Sequence, residues 1–416
     1  MRRTSRAAIS LVEMLVAMAV TLIMMGAVVT MFGNVGNSIS GSRAMMEISE
    51  RLRNARNVLQ RDLGNVTATM LPPRSPESAE GFFEYVEGPR SDANPIFPDA
   101  APVGPPAWVT LLGDNDDVLM MTIRSNGDPY VGRLADGNVI SSLTAEVVWF
   151  LTEQPLSPVL DVSAVHLSGA LEDEPRRLKT LHRRVLLVSP STSSPTAGDD
   201  ISASSFSGTR IANTLSDLTK RENRYGHFPS SFPYQVVVPG TPHPTTPKTD
   251  IVSLIEPLSG VRQGEDIILT NVLAFDVKAY DPNVPVLLNN NVATLPSDPG
   301  YSGSIAGYGG YVDLNYANDA DISYFSGPGD TKSGLTAVYD TWSTHYEAAG
   351  TATGIDGLDN NVVGEDGYGV VDDISEMQAP PPYPYPLRGI QIKIRVYEPD
   401  SKQVREVTVV QDFLPQ

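Results

Sequence analysis

Two hydrophobic patterns predict one long helix at the start of the chain. The first is an apolar run over 9–32 that contains a single charged residue, Glu13. The second follows a Gly- and Ser-rich stretch at 33–42, where apolar residues recur at spacings of three and four, as on one face of a helix. This apolar stripe consists of Met45, Ile48, Leu52, Ala55, Leu59 and Leu63. We therefore expect 33–64 to be an amphipathic continuation of the helix, with its stripe packed on a core.

Apolar segments further along the chain predict antiparallel strands. Apolar and polar residues alternate over 390–397, a turn is indicated at 398–402, and valines recur on a return strand over 404–409, so these segments predict a β-hairpin. Within one of the other strands, residues 182–184 (His-Arg-Arg) are expected to face solvent. The remaining predicted strands cover 117–124, 145–151, 178–188 and 267–280.

Segments rich in Pro, Gly, Ser and Asn separate these elements. We expect 71–106 to be a loop, and 189–262 and 286–385 to be large loop insertions. The predicted fold class is α+β: a long N-terminal hydrophobic, membrane-spanning helix packed on an antiparallel β-sheet head domain. The head would comprise residues 65–416.

Composition narrows the classes of function. The chain has 30 Lys and Arg against 49 Asp and Glu, a formal net charge of −19. An acidic surface repels phosphate backbones, so we expect no nucleic-acid partner. The chain has no Cys, which excludes disulfide bonds, Cys-ligated metal centres and a thiol nucleophile.

The N-terminal apolar run is long enough to cross a membrane. As a helix, Ile9–Phe32 would measure about 36 Å, against about 30 Å for the hydrocarbon core of a bilayer. Three arginines precede the run and Arg43 is the next charged residue after Glu13, so the positive-inside rule places the N-terminus in the cytoplasm. A cleaved secretory signal would have a shorter apolar core. A plain anchor would leave Glu13 unexplained, because a carboxylate within a membrane helix is costly.

The sequence around Glu13 resembles the N-terminal motif of type IV pilins and of type II secretion pseudopilins. Residues 8–15 read Ala-Ile-Ser-Leu-Val-Glu-Met-Leu. The resemblance implies that 1–8 are a leader peptide, that prepilin peptidase cleaves between Ala8 and Ile9, and that Ile9 is then N-methylated. It further implies that Glu13 neutralises the Ile9 ammonium group of a neighbouring subunit during assembly. Ala8 departs from the usual Gly, and Thr30 stands where major pilins usually carry Pro, which favours a minor subunit.

The order of the predicted strands is similar to that of J-type pseudopilins and W-type minor pilins. This resemblance implies a structural subunit of a type II secretion pseudopilus or a type IV pilus-like fibre. It implies residence in a bacterial inner membrane with the head outside, before incorporation into the fibre. The implied partners are other pilins or pseudopilins, prepilin peptidase and the inner-membrane assembly platform. The alternative is a membrane-anchored extracytoplasmic adhesin or ligand-binding protein.

One acidic segment carries candidate metal ligands. Residues 356–373 combine Gly with the oxygen ligands that Ca²⁺ prefers. From Asp359 onward the segment resembles the opening of an EF-hand loop, but Val370 occupies the twelfth position, where an EF-hand has its bidentate Glu, so it is not an EF-hand. A solvated acidic loop and a weak calcium site both remain open, and no other cofactor is expected. The candidate ligands are Asp356, Asp359, Asn361, Glu365, Asp366, Asp372 and Asp373.

No catalytic motif stands out in the sequence. Its five histidines are scattered, without the spacing of a helical zinc site. There is no nucleophile elbow and no phosphate-binding loop. Because no pattern offers a nucleophile, a base and an orienting group together, we expect that the protein is not an enzyme.

Overall fold

A computed structural model gives the fold of the protein. Ala8 and Ile9, and the whole acidic segment 356–373, lie outside the residues that it describes. The described residues are 11–71, 76–87, 113–134, 137–153, 178–189, 200–206, 209–227, 255, 257–296, 298, 300–314, 316, 338–341, 386–399 and 401–413.

The described part of the chain begins with a single long helix, α1 (Leu11–Gly64), of 54 residues. At 1.5 Å per residue it is about 81 Å long. It runs without a break through the Gly- and Ser-rich stretch 33–42, although each glycine there costs about 1 kcal/mol relative to alanine. The predicted apolar stripe is confirmed, since its residues from Ile48 to Leu63 are buried.

The rest of the described chain is dominated by antiparallel strands. The strands are β1 (Phe83–Val86), β2 (Val118–Arg124), β3 (Tyr130–Arg133), β4 (Val139–Ser142), β5 (Thr144–Glu153), β6 (Lys179–Val188), β7 (Ala203–Phe206), β8 (Thr209–Ala212), β9 (Ile267–Asn289), β10 (Val292–Thr294), β11 (Ser304–Val312), β12 (Val338–Asp340), β13 (Gly389–Glu398) and β14 (Gln403–Asp412). The hairpin predicted near the C-terminus is confirmed as β13 and β14, which pair along their whole length. The four other predicted strands correspond to β2, β5, β6 and β9.

Ten strands form one sheet, in the order β12-β1-β2-β5-β6-β9-β13-β14, with β10 and β11 also paired to β9. Every pairing in this sheet is antiparallel. The fold class is therefore α+β with a long N-terminal helix. The loop prediction for 71–106 was wrong at 83–86, where β1 lies between β12 and β2.

One face of the sheet is covered by the second half of α1. The helix stripe shares a hydrophobic core with inward-facing strand residues, among them Trp149, Phe275 and Ile392. The opposite face is covered in part by the segment 213–227 and Ile255, which pack on Met120, Phe150 and their neighbours. Part of the predicted insertion 189–262 is thus a third layer, because it completes a second core. The small hairpin β7-β8 also lies in this insertion.

Strand β9 is unusually long and changes partners along its length. Its first part pairs with β6 and its later part pairs with β11. The change follows a bulge beside Asn271, whose φ of +59° is tolerated because Asn readily adopts the left-handed conformation. The described part of the predicted insertion 286–385 contains the end of β9, β10, β11 and β12. These strands extend the sheet rather than looping away from it.

Candidate functional site

The first half of α1 is an exposed apolar surface. Every side chain described between 11 and 40 is exposed, including Met25 at 70% and Phe32 at 73%. An 18-residue window of the helix has a mean hydropathy of 2.4 and none of it is buried. The helix is therefore long and apolar enough to cross a membrane. Exposed apolar surface of this extent marks a region that contacts lipid or another protein.

Glu13 lies in the first turn of α1, within this exposed surface. It is the only charged residue between 11 and 42. On a helix, residues three, four and seven positions further on share its face, and here they are Val16, Ala17 and Val20. Glu13 is thus a single carboxylate on an apolar helix face.

The C-terminal end of α1 is fixed to the sheet by a buried ion pair. Asp62, which is fully buried, accepts hydrogen bonds from Arg183 Nε at 2.6 Å and Arg183 Nη2 at 2.8 Å. Trp149 Nε1 donates a third hydrogen bond to Asp62, at 3.0 Å. This arrangement sets the position of the helix relative to β5 and β6. It also corrects the expectation that 182–184 face solvent, because His182 and Arg184 are buried and Arg183 is only 12% exposed.

A buried polar chain crosses β5 and β6. Thr152 Oγ1 lies 2.8 Å from His182 Nε2, and His182 Nδ1 lies 3.3 Å from Asp266 Oδ1. A hydroxyl, an imidazole and a carboxylate follow one another in the same order in acyl-transfer sites. The imidazole here is buried and stacked on Phe150 with ring centroids 5.1 Å apart. We therefore infer that these three polar side chains stabilise the contact between neighbouring strands.

A second buried network holds the third layer on the sheet. Arg224 Nη1 lies 2.7 Å from Glu84 and 2.8 Å from Asp340, and its guanidinium carbon lies 4.1 Å from the ring centre of Phe82. His227 Nε2 lies 3.1 Å from Glu84. Burial would raise the pKa of Glu84, but the charge and hydrogen bond of His227, with Arg224 and Arg221, outweigh it and hold that pKa well below its usual value.

The described residues contain a buried acidic cluster that the sequence did not predict. Glu87 follows β1, Asp114, Asp116 and Asp117 precede β2, and Asp313 follows β11; all five are at most 8% exposed. The antiparallel pairing of Val86 with Val118 brings the end of β1 to the start of β2. Asp117 Oδ2 accepts a hydrogen bond from the backbone N–H of Val277 at 2.6 Å, which ties the cluster to the middle of β9.

Burial and mutual repulsion both disfavour the ionised form of the carboxyl groups in this acidic cluster. Burial raises the pKa of Glu87, and the neighbouring carboxylates of Asp117 and Asp313 raise it further. Burial likewise raises the pKa of Asp114, with added repulsion from Asp117 and Asp116. Three lysines lie nearby: Lys278 Nζ is 3.1 Å from Asp313, Lys393 Nζ is 3.1 Å from Asp276, and Lys179 Nζ donates to the carbonyl of Asn115 at 2.9 Å.

None of the residues of the acidic cluster belongs to the acidic segment 356–373 that the sequence singled out, and that segment is outside the described residues. Its one local signal is the sequence Asp114-Asn115-Asp116-Asp117 before a strand. The other members, Glu87 and Asp313, are far away in the chain and are joined to it only by strand pairing.

Comparisons with the profiles of known protein families, with curated protein sequences and with solved structures return no match.

Proposed function

We propose that this protein is a minor pilin or pseudopilin, a structural subunit of a type II secretion pseudopilus or type IV pilus-like fibre. Its helix would first hold it in a bacterial inner membrane, with the head outside. Prepilin peptidase would cleave between Ala8 and Ile9, and Ile9 would then be N-methylated. Other pilins or pseudopilins and the inner-membrane assembly platform would be its partners.

The observation that carries this proposal is the division of α1 into two halves. The half nearer the N-terminus exposes an apolar surface, while the other half packs its stripe on the sheet and is fixed by Asp62. A single rigid helix therefore joins a segment suited to lipid or helix packing directly to a folded head. Such a helix suits a subunit that leaves the membrane by packing its exposed half against identical or related helices.

Glu13 supports the same proposal. A carboxylate on an apolar helix surface needs a cationic partner once lipid or protein covers it. Cleavage before Ile9 would create an ammonium group one helical turn away in sequence, and a neighbouring subunit could present it to Glu13. The pair would set the axial position of one helix against the next.

Replacement of Glu13 tests this function. Glu13→Val should leave membrane insertion intact, because it removes a charge from an apolar helix, but should strongly reduce incorporation into isolated fibres. Glu50→Gln is the matched control, since Glu50 is an exposed glutamate on the same helix and should incorporate normally. Normal incorporation of Glu13→Val would contradict the charge-neutralising role.

A membrane-anchored adhesin or ligand-binding protein is the second candidate. It is favoured by the β10-β11 extension, where Val292 is 61%, Ile305 is 57% and Tyr308 is 67% exposed. Apolar and aromatic residues on an outer strand suit contact with a ligand. An adhesin would retain residues 1–8 in the mature chain and would not depend on Glu13 for its surface display, so the same variant separates the two functions.

A further inference from the structure

The acidic cluster brings together three segments that the chain connects only at long range. One carboxylate oxygen each from Glu87, Asp114 and Asp313 lies within 4.8 Å of the other two, and Asp114 also belongs to a second such group with Asp116 and Asp117. Asp114 is fully buried. Like charges that meet inside a protein repel one another, so the convergence of these carboxyl groups requires either bound protons or a bound cation.

Some of the buried carboxylate oxygens in this cluster accept no hydrogen bond from the described residues. Among the residues that the structure describes, no N–H or hydroxyl group donates to either oxygen of Asp114 or to Glu87 Oε1, and the side chain that Asp114 faces is a second carboxyl group, that of Asp116. The other oxygen of Glu87 accepts hydrogen bonds from the Tyr85 hydroxyl and from the backbone N–H of Leu314 at 3.1 Å. The side chain of Glu87 is therefore fixed, and one of its oxygens lies within 4.8 Å of an oxygen of Asp114. Buried polar groups almost always have a partner, and a bound cation would supply one here.

We propose that Glu87, Asp114 and Asp313 bind a calcium ion that ties the ends of β1 and β11 to the segment before β2. Two ligands of one calcium ion are at most about 5 Å apart, because calcium–oxygen distances are about 2.3–2.6 Å. The 4.8 Å limit of the cluster meets this requirement. A hard cation is indicated because all three side chains offer oxygen ligands and none offers nitrogen or sulfur. Calcium is favoured over magnesium because the three side chains are buried, whereas magnesium usually keeps several of its water ligands.

The charge balance favours a cation. Six carboxyl groups interact here, and their ionised forms together would outnumber the three nearby lysines among the described residues. Lys278 is shared between Asp276 and Asp313, so it compensates neither fully. A divalent cation would reduce the excess and would give the oxygens of Asp114 a partner. The six acids are Glu87, Asp114, Asp116, Asp117, Asp276 and Asp313.

Calcium at this place would stabilise the edge of the sheet. Asp313 immediately follows β11, which pairs with the later part of β9. Glu87 immediately follows β1, on the other side of the cluster. The ion would therefore hold the β10-β11 extension against the β1-β2 end of the sheet. This consequence does not depend on the fibre function, since an adhesin would gain the same rigidity.

Asp114→Asn provides the sharpest test, with the full chain in detergent micelles. Terbium is added in place of calcium, and its luminescence is excited through tyrosine, because the Tyr85 hydroxyl contacts Glu87. Calcium titration should displace terbium from the wild-type protein. Asp114→Asn should weaken this binding by about tenfold or more, as expected for loss of a ligand. Asp128→Asn, at an exposed turn residue, should bind as the wild type does.

The unfolding temperature, measured with and without calcium, is a second readout. It separates a calcium ligand from an aspartate that only stabilises the fold. In a chelator, Asp114→Asn should unfold at the same temperature as the wild type or higher, because it removes a buried carboxyl group that repels its neighbours when it is ionised. With about 1 mM calcium, within the affinity range of extracellular calcium modules, the wild type should become the more stable of the two. A lower unfolding temperature of Asp114→Asn in both conditions would overturn the proposal.

The acidic segment 356–373 is the competing location. Asp359→Asn combined with Asp366→Asn removes two of its candidate ligands and should leave the luminescence at the acidic cluster unchanged. If this double variant abolishes calcium binding while Asp114→Asn retains it, the ion belongs to that segment and our assignment is wrong. An absence of calcium binding in the wild type would also overturn our assignment. So would a result in which magnesium displaces terbium and calcium does not.

Discussion

At the scale of single residues, the buried ion pairs decide how the layers of this protein fit together. Asp62 joins the end of α1 to β6 through Arg183 and to β5 through Trp149. A buried carboxylate loses the solvation of water, and here three hydrogen bonds replace it. Removing the carboxylate would leave the guanidinium and the indole N–H without their acceptor, which is more costly than the pair itself is stabilising.

We therefore expect Asp62→Ala to lower the free energy of unfolding by about 3 kcal/mol. Urea denaturation followed by circular dichroism measures this change. Asp128→Ala is the control, because an exposed aspartate in a turn should change it by at most about 0.5 kcal/mol. If both variants behave alike, the ion pair does not hold the helix.

Glu84 gives a prediction about pH. Its pKa is held well below the usual value, because His227, Arg224 and Arg221 outweigh the effect of burial. A carboxyl group with a lowered pKa stabilises the fold above its unfolded pKa of about 4.3, and this stabilisation is lost as the pH falls below it. One such group contributes about 1.4 kcal/mol per pH unit to the slope.

Replacing Glu84 should remove that slope. Between about pH 4 and pH 3, the free energy of unfolding of Glu84→Gln should fall less steeply than that of the wild type, by about 1.4 kcal/mol per pH unit. Urea denaturation at each pH supplies the values, and Glu50→Gln should retain the wild-type slope. Identical slopes for Glu84→Gln and the wild type would show that the fold does not lower the pKa of Glu84.

At the scale of elements, α1 contains two surfaces with different tasks. Leu59 is fully buried in the core, whereas Leu22, on the same helix, is 68% exposed. The same substitution at the two places therefore has different consequences for the head.

Leu59→Ala should lower the free energy of unfolding by about 2–5 kcal/mol, because it leaves a cavity between the helix and the sheet. Leu22→Ala should change it by at most about 0.5 kcal/mol, since no described contact of the sheet depends on it. Both are measured by urea denaturation in the same detergent. A large effect at Leu22 would mean that the exposed half of α1 packs on the head.

At the scale of the whole molecule, helices and strands were easier to predict from the sequence than the packing of other segments against them. The α1 stripe and the β13-β14 hairpin were predictable because their periodicities are strong and local. β1 was missed because Pro-rich segments surround it, and its pairing with β2 and β12 outweighs that composition. The burial of His182 and Arg184 could not be predicted, because a polar strand face looks solvent-exposed unless the covering segment is known.

The acidic cluster was unpredictable for a related reason. Asp114, Asp116 and Asp117 before a strand look like ordinary surface acids, and only the pairing of β1 with β2 and of β11 with β9 adds Glu87 and Asp313. The N-terminal motif is the reverse case, a local signal that needs no tertiary contact. Its residues Ala8 and Ile9 lie outside the described part of the chain, so cleavage there stays a prediction.

The most direct test of the proposed fibre function is the N-terminus of the mature protein. The full-length protein should be expressed in its native membrane and isolated from it. Its N-terminal peptide should then be identified by mass spectrometry. We predict a chain that begins at N-methylated Ile9. A chain that still begins at Met1, or one cut after the apolar run, would contradict the assignment to a pilin-like fibre.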